Sequence, residues 1–538
     1  MKHISQYTLI VIIAIFFTLF YNFSFFTNVV NTYPLDGLNI VHFFSVGILL
    51  TSLVVFLFTL FSSEYTTKPI LIITLVVSSF AAYFMDTYHV VIDDSMIRNS
   101  LQTNLSESSD LFSLKLVLYI FLLGVLPSYF VYKTQIKYKS FKQEFFAKLK
   151  TICLSLAVVL IILFSFSKFY TSFLREHKPL RYHVNPIYWI YSIGNYINKS
   201  VNSGPIVVKQ IGLDAKINEE SHQKVDKTEL IIMVVGEAAR ANRFSLNGYE
   251  KETNPLLKKE EIYNFPNLYS CGTSTAESVP CMFSIFDKAN YDYKKGISTE
   301  NILDVLKHTK NVNILWRDNN SDSKGVALRT DFEDYRTSKT NTKCDDECRD
   351  VGMLVGLDNY IKKHQGEDIL IVLHQMGNHG PAYYKRYPKE FEKFTPVCKT
   401  NQLEQCTQEE VSNAYDNAIL YTDYFLSEVI NFLKPYSKDY ETAMLYMSDH
   451  GESLGENGLY LHGLPYFMAP DEQKHIASLM WFGEGDIKED VDLEKLNTYK
   501  NKLFSQDNLF HTLLGLFEVE TEVYKKEMDI LYDAKKPH

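Results

Sequence analysis

Five apolar stretches crowd the first third of the chain, at about Leu9–Phe26, Val41–Phe61, Pro69–Met85, Leu116–Tyr132 and Ile152–Phe166. A tilted helix needs about 17 or more apolar residues to cross a bilayer. Each stretch approaches or exceeds that length, the last by running on through Ser167–Tyr170. Lipid offers no partner for a bare N–H or C=O, so such segments fold as helices. The first is not read as a cleavable signal, because no small-x-small site follows it and four more spans do. A five-helix transmembrane domain over residues 1–170 is therefore expected.

Basic residues in short loops orient it. The N-terminus carries Lys2, the link between the second and third stretches carries Lys68, and the link before the fifth holds Lys133, Lys137, Lys139, Lys142, Lys148 and Lys150. The opposite links, "NTYPLDGLN" and "DTYHVVIDDSMIRNSLQTNLSESSD", are poor in Lys and Arg. The lysine-rich loops are then cytoplasmic, and everything after the fifth span lies outside. Cysteine usage agrees. Cys153 falls inside a span, and the other six form close pairs: Cys271 with Cys281, Cys344 with Cys348, and Cys398 with Cys406. Such pairs in an exported domain read as disulfides, the first worth about 2–3 kcal/mol on a loop-entropy argument. A net charge of -10, with no Lys/Arg-rich tract in the polar part, argues against a nucleic-acid partner.

Residues 171–224 mix Tyr and Trp with Arg, Lys and Pro, the composition of a headgroup-level connector, or equally of an ordinary linker helix. From about 225 onward the pattern changes. "TELIIMVV", "NVNILW", "EDILIVL" and "TAMLYMS" are short β-branched runs of the kind found in buried parallel strands, with helical patterns between them. That alternation implies an α/β sheet over 225–538, covered on both faces, with ligands at the carboxyl ends of its strands.

Those ends are informative. The first run stops at Gly236-Glu237, the second at "RDNNSDSK" with Asn320 and Lys324, the third at His374 and then "QMGNHG" with His379, and the fourth at Asp449-His450. His462 follows in "NGLYLHG". A single acid at a strand end is usually a turn or cap. Glu, Asp and several His on one rim are the ligand types that zinc prefers. In "SCGTSTAESVPC" a helix beginning near Thr275 would offer free N–H groups to a phosphate. Thr275 as a plain N-cap is the other reading, and the two are compatible. A threonine hydroxyl is a poor nucleophile until a metal ion lowers the pKa of the oxygen. The bracketing cysteines would pin that hydroxyl beside a metal held by Glu237, Asp449 and His450.

The stretches "VVGEAARANRFSLNGY", "SCGTSTAESVPCMFS", "WRDNNSDSKG", "LHQMGNHGPAYYKRYP" and "SDHGESLGENGLYLHG" closely resemble the phosphoethanolamine transferases that modify bacterial lipid A, the mobile colistin-resistance enzymes among them. The resemblance implies an alkaline-phosphatase-like, sulfatase-like periplasmic domain on a multi-pass inner-membrane anchor, acting as a monomer. It implies Thr275, rather than Thr273 or Ser274, as nucleophile, with Glu237, Thr275, Asp449 and His450 as primary zinc site. His379 and His462 would hold the phosphoryl group or a second zinc, giving one or two ions in all. Asn320, Lys324 and His374 would contact substrate. Asn99, Thr103 and Glu107 match positions tied to lipid binding, and their spacing of four would place them on one helical face.

The reaction so implied takes phosphoethanolamine from phosphatidylethanolamine to Thr275 and on to a lipid A phosphate or another envelope acceptor, with resistance to polymyxin-type peptides as the consequence. Transfer to core sugar or a surface protein, or a membrane-anchored metal-dependent phosphatase or sulfatase, is the alternative. A formylglycine context is missing around Thr275, which disfavours a sulfatase. Five spans without intramembrane acid–base pairs offer no transport pathway.

Overall fold

The computed structural model of the protein describes residues 4–103, 105–201, 206–218, 227–485, 488–489 and 491–536, without the side chains of 105–107. Two compact units are present. One comprises residues up to Ile97 together with Phe112–Ser200, the other Arg98–Leu111 together with the residues from Val201 on. Neither grouping is visible in a linear division at 170 and 224. The loop segment 98–111 joins the α/β unit, and the residues up to Ser200 join the helical one.

In the helical unit α1 (Gln6–Phe20) and α2 (Phe23–Thr32) meet at 57°, followed by α3 (Asn39–Phe61) and α4 (Thr67–Tyr88). The short helices α5 (Asp94–Gln102) and α6 (Leu105–Asp110) come next in the chain. After them come α7 (Leu114–Lys133) and α8 (Phe141–Ser165), then α9 (Ser167–Glu176) and α10 (Ile187–Val201). Among the described residues four of these helices are long and apolar enough to cross a membrane, and there are five spans if the bent pair is one. The expected single span Leu9–Phe26 is thus corrected to two helices. Asn22 breaks it: its amide donates to the Phe17 and Asn185 carbonyls at 3.0 and 2.7 Å, and its oxygen accepts the Asn185 N–H at 2.9 Å. Asp86 then accepts the Ser24 N–H at 3.0 Å and caps α2. Hydropathy does not register such pins. The fifth spanning helix, α8, also starts eleven positions before the expected Ile152, since Lys, Gln and Glu are good helix formers and Glu144 accepts the Lys139 N–H at 2.8 Å. In α7 a π segment, Ile120–Val125, interrupts the α ladder. Phe164, Ile161 and Leu160 are 77%, 64% and 53% exposed, the apolar surface expected of a helix side that faces lipid.

The α/β unit is built on seven strands: β1 (Thr228–Gly236), β2 (Ile262–Asn264), β3 (Val312–Asp318), β4 (Asp331–Asp334), β5 (Asp368–His374), β6 (Tyr440–Ser448) and β7 (Ser478–Phe482). Their order in the sheet is β2-β7-β6-β1-β5-β3-β4. The four expected strands form the parallel centre, β6-β1-β5-β3. Every residue of β5 and β6 is buried, which is why these runs lack polar alternation. β7 pairs antiparallel with both β6 and β2, an edge the sequence reading did not contain.

All three expected disulfides are present. Cys271 is bonded to Cys281, Cys344 to Cys348, and Cys398 to Cys406, and Cys153 is free. The short spacings are consistent with what each bridge closes. Cys344 and Cys348 face each other across an isolated antiparallel bridge. Cys406 immediately precedes Thr407, the N-cap of a long helix (Gln408–Leu433) that starts at a capping box of Thr407 and Glu410. The Cys398 N–H donates to the Glu410 carbonyl at 3.1 Å, so that bridge ties an incoming loop to the first turn of this helix.

Segment 98–111 is held in the α/β unit by charge. Asp110 is 4% exposed and lies 2.5 Å from Arg386 Nη2 and 2.6 Å from Lys385 Nζ, while Asn401 Nδ2 donates to its main-chain oxygen at 2.6 Å. Arg98 stacks on Tyr293 at 4.1 Å. Burial opposes charge on Asp110, but Arg386 and Lys385 outweigh it and hold the carboxyl below its usual range. A depressed carboxyl stabilises the fold above its unfolded pKa, and that contribution is lost as pH falls through the folded value. Asp110→Ala is expected to lower the stability of this unit by about 1–3 kcal/mol, because Glu347 still neutralises Arg386. Hydrogen exchange should show residues 98–111 losing protection while β1, β5 and β6 keep theirs.

Candidate active site

The parallel strands deliver their last residues to one rim. β1 closes on Gly236, where a Cβ would sit 2.6 Å from the Tyr446 ring, so only glycine fits. Glu237 follows, and Ala238 takes a left-handed φ of 53° with its N–H on Asp449 Oδ1 at 3.1 Å. Such a conformation costs a residue with a Cβ about 1–3 kcal/mol and persists where its surroundings demand it. β6 ends at Ser448 and passes into Asp449-His450. Glu237, Asp449 and His450 are all fully buried, with one ligand atom from each lying within 4.8 Å of the others. His450 gives Nδ1 to the Gly451 carbonyl at 2.8 Å and turns Nε2 to Glu237 Oε1 and Asp449 Oδ2, each 3.3 Å away.

Among the described residues, Glu237 Oε1 and Asp449 Oδ2 have no hydrogen-bond partner. Two buried carboxylates beside one imidazole want positive charge. Burial and then Glu237 push Asp449 up to about 6. Burial works against charge on His450, yet Asp449 and Glu237 raise it to about 10. Two orphaned oxygens and an imidazole nitrogen converging on one point are a donor set that fits a metal ion.

A hydroxyl joins them. Helix α11 (Thr275–Met282) has Ser274 as N-cap in extended conformation and Thr275 as its first helical residue. The plain N-cap reading of Thr275 is thereby set aside. Its Oγ1 donates to Glu237 Oε2 at 3.1 Å and lies 3.4 Å from His450 Nε2. Thr273 instead gives its hydroxyl to the Leu464 carbonyl at 2.6 Å. The Cys271–Cys281 bridge spans the turn and the helix. The other two bridges, Cys344–Cys348 and Cys398–Cys406, contribute no residue to this group.

The remaining expected residues divide. Asn320 is 1% exposed and donates its amide to Glu237 Oε2 at 2.8 Å and to the Gln375 carbonyl at 2.9 Å, so it aims the carboxylate. Lys324, buried and left-handed at φ 52°, sets Nζ 3.3 Å from the Ser321 carbonyl on the same loop. His374 is fully buried with Nδ1 on Asp318 at 2.8 Å and Nε2 unpartnered. The rings of His379 and His450 lie 5.5 and 4.2 Å from that of His462. Asn99 lies in α5, which stops before Thr103, and α6 begins only at Leu105. The shared helical face expected for Asn99, Thr103 and Glu107 is therefore corrected: Asn99 and Glu107 lie in two separate helices and Thr103 in neither. Thr103 Oγ1 returns to the Asn99 carbonyl at 2.8 Å. The Glu107 side chain lies outside the described residues.

Two residues escaped the sequence reading. Asp318, the last of β3, accepts from His374, Trp316 Nε1, Asn320 N and Asp322 N. Glu452, fully buried, accepts from Tyr383 Oη at 2.6 Å and takes His462 Nδ1 at 2.7 Å. The signal for Glu452 was its place two residues beyond His450. Asp318 had none beyond ending a strand.

Residues 229–519 match the Sulfatase family, and residues 50–201 match the family described as Phosphoethanolamine transferase EptA/EptB. Phosphatidylethanolamine transferase Mcr-1 of Escherichia coli is 42% identical over 534 residues, 97% of each chain. Phosphoethanolamine transferase EptA of Escherichia coli (strain K12) is 38% identical over 97% of this chain and 96% of its own. The solved integral membrane protein lipooligosaccharide phosphoethanolamine transferase A (EptA) from Neisseria meningitidis superposes with a TM-score of 0.95 at 34% identity, covering 100% of both chains. With a sulfatase-like α/β unit, apolar membrane-spanning helices and full-length likeness to these enzymes, the chain belongs to the phosphoethanolamine transferase family.

Proposed function

We propose that the protein transfers phosphoethanolamine from phosphatidylethanolamine to a lipid A phosphate by way of an ester on Thr275, from the inner membrane, with the α/β unit in the periplasm. One observation carries the reading: the Thr275 hydroxyl lies 3.1 Å from Glu237 Oε2 and 3.4 Å from His450 Nε2, beside two orphaned carboxylate oxygens. The full-length relatives named for the same headgroup transfer support it. The donor is a lipid, so membrane attachment raises its effective concentration at the site. Residues 171–224 serve as an interfacial connector, and Asn99, Thr103 and Glu107 take part in binding the lipid substrate.

A zinc ion held by Glu237, Asp449 and His450, with His379 and His462 offering ligands for a second, would lower the pKa of a nearby oxygen and offset charge on the phosphoryl group. The protein's own groups do the rest. Asn320 fixes Glu237, and Glu237 accepts the Thr275 proton as Oγ1 attacks phosphorus. The glycerol oxygen of diacylglycerol departs and takes up a proton. His462, whose Nδ1 is tied to Glu452, keeps Nε2 for phosphoryl oxygens or for that proton. Lys324 adds positive charge. A phosphate oxygen of the acceptor then attacks the ester, and Thr275 regains its proton. Positioning and charge neutralisation supply most of the rate in such transfers.

With fluorescent phosphatidylethanolamine, the purified protein should release diacylglycerol and gain a phosphoethanolamine increment on the peptide containing Thr275. Thr275→Ala should lose both by about three or more orders of magnitude. Diacylglycerol release by Thr275→Ala at the parent rate would overturn the covalent route. Metal removal gives a separate check. Chelation should lower Tm and abolish transfer, and added zinc should restore both, since a ligand at about 100 times its Kd stabilises by about 2.7 kcal/mol. Asp449→Asn should show no Tm response to chelator; an unchanged response would place the metal elsewhere.

A further inference from the structure

We propose that Gln506 is a positioning residue that sets the register of the nucleophile helix against the strand end carrying Asp449, an inference that rests on Thr275 being the nucleophile. Its side chain is fully buried and every polar edge of the amide is used. The oxygen accepts the Cys271 N–H at 2.7 Å and lies 2.7 Å from Ser278 Oγ. The nitrogen donates to the Ser448 and Asp449 carbonyls, each at 2.8 Å. Those partners dictate which way the amide faces: an N–H needs the oxygen, and two carbonyls need the nitrogen. One side of the amide therefore grips the disulfide turn and α11, and the other grips the last residue of β6 and Asp449.

Ser278 completes the clamp. It stands three residues after Thr275 on the same helix, so the two share a face, and its Oγ lies 2.5 Å from the Asp449 carbonyl. The clamp is rooted in backbone on both sides. Phe504–Ser505 pairs in parallel with Leu268–Tyr269, the two residues leading to Ser270-Cys271, so Gln506 leaves this short ladder beside the cysteine turn. A capping box of Ser505 and Asn508 holds the 3-10 turn that carries Gln506. Nothing in this arrangement touches the Thr275 hydroxyl. It fixes the peptide planes on either side of the space between Thr275 and Asp449.

The positioning role differs from plain packing in what it predicts. Gln506→Glu keeps the shape of the side chain but turns a second oxygen toward two carbonyl oxygens. Gln506→Ala removes all four contacts, and Ser278→Ala is a milder variant that removes one hydroxyl. In the full chain in lipid nanodiscs, with phosphatidylethanolamine as donor, single-turnover formation of the Thr275 ester should fall about 100-fold in both Gln506 variants and about 10-fold in Ser278→Ala, as expected when a reacting group is displaced by a fraction of an ångström to an ångström. KM for the donor should stay within about twofold, because donor binding is not what the clamp controls. The double variant Gln506→Ala/Ser278→Ala should be no slower than Gln506→Ala alone, which is the signature of one shared clamp. A Gln506→Glu protein with the parent rate, rate losses that follow Tm alone, or additive single effects would overturn the proposal. If the parent protein forms no ester on Thr275, the underlying reading fails and this inference falls with it; a parent that forms the ester while Gln506→Ala does so equally fast overturns only the clamp.

Discussion

Two fully buried carboxylates facing one imidazole are the constraint around which the α/β unit is organised. Glu237 and Asp449 each leave an oxygen unpartnered, and isolated charge in such a place is expensive unless a cation meets it. Most of the nearby architecture holds those oxygens in place. Gly236 lets β1 approach Tyr446, Ala238 accepts a left-handed turn so that its N–H reaches Asp449, and Asn320 clamps the second oxygen of Glu237. A cation held there would offset both buried charges and would turn the neighbouring threonine into a candidate nucleophile.

The α/β architecture was readable because buried parallel strands have a strong signature. Four runs of β-branched residues with no polar alternation could only be covered on both faces, and their carboxyl ends named Glu237, His374 and Asp449-His450 before any geometry was known. Close cysteine spacing was equally legible, and it paired Cys271 with Cys281, Cys344 with Cys348 and Cys398 with Cys406 as the fold does. What could not be read were features set by contacts between distant segments. Asn22 breaks the first apolar stretch through hydrogen bonds with Asn185, 163 positions away. Asp318 and Glu452 act on histidines that are neighbours only after folding. Gln506 lies in "KLFSQDN", a string with no periodicity or motif, and acquires meaning only from four partners on two other segments.

Segment 98–111 shows the same principle at the level of units. By sequence it is a short loop between two apolar helices. In the fold it belongs to the α/β unit, because Asp110 finds a buried arginine there and Arg98 an aromatic face. Arg386 also donates Nε to the His379 carbonyl at 2.6 Å. The loop that returns from the lipid-embedded helices and the backbone of a histidine in the candidate site therefore share one guanidinium.

Anomalous diffraction at the zinc edge from crystals of the purified protein tests the central claim most directly. The account predicts a peak bounded by Glu237 Oε1, Asp449 Oδ2 and His450 Nε2, within bonding reach of Thr275 Oγ1. A protein crystallised with ample zinc that shows water or an ordered side chain at that point, and its metal elsewhere, would contradict it.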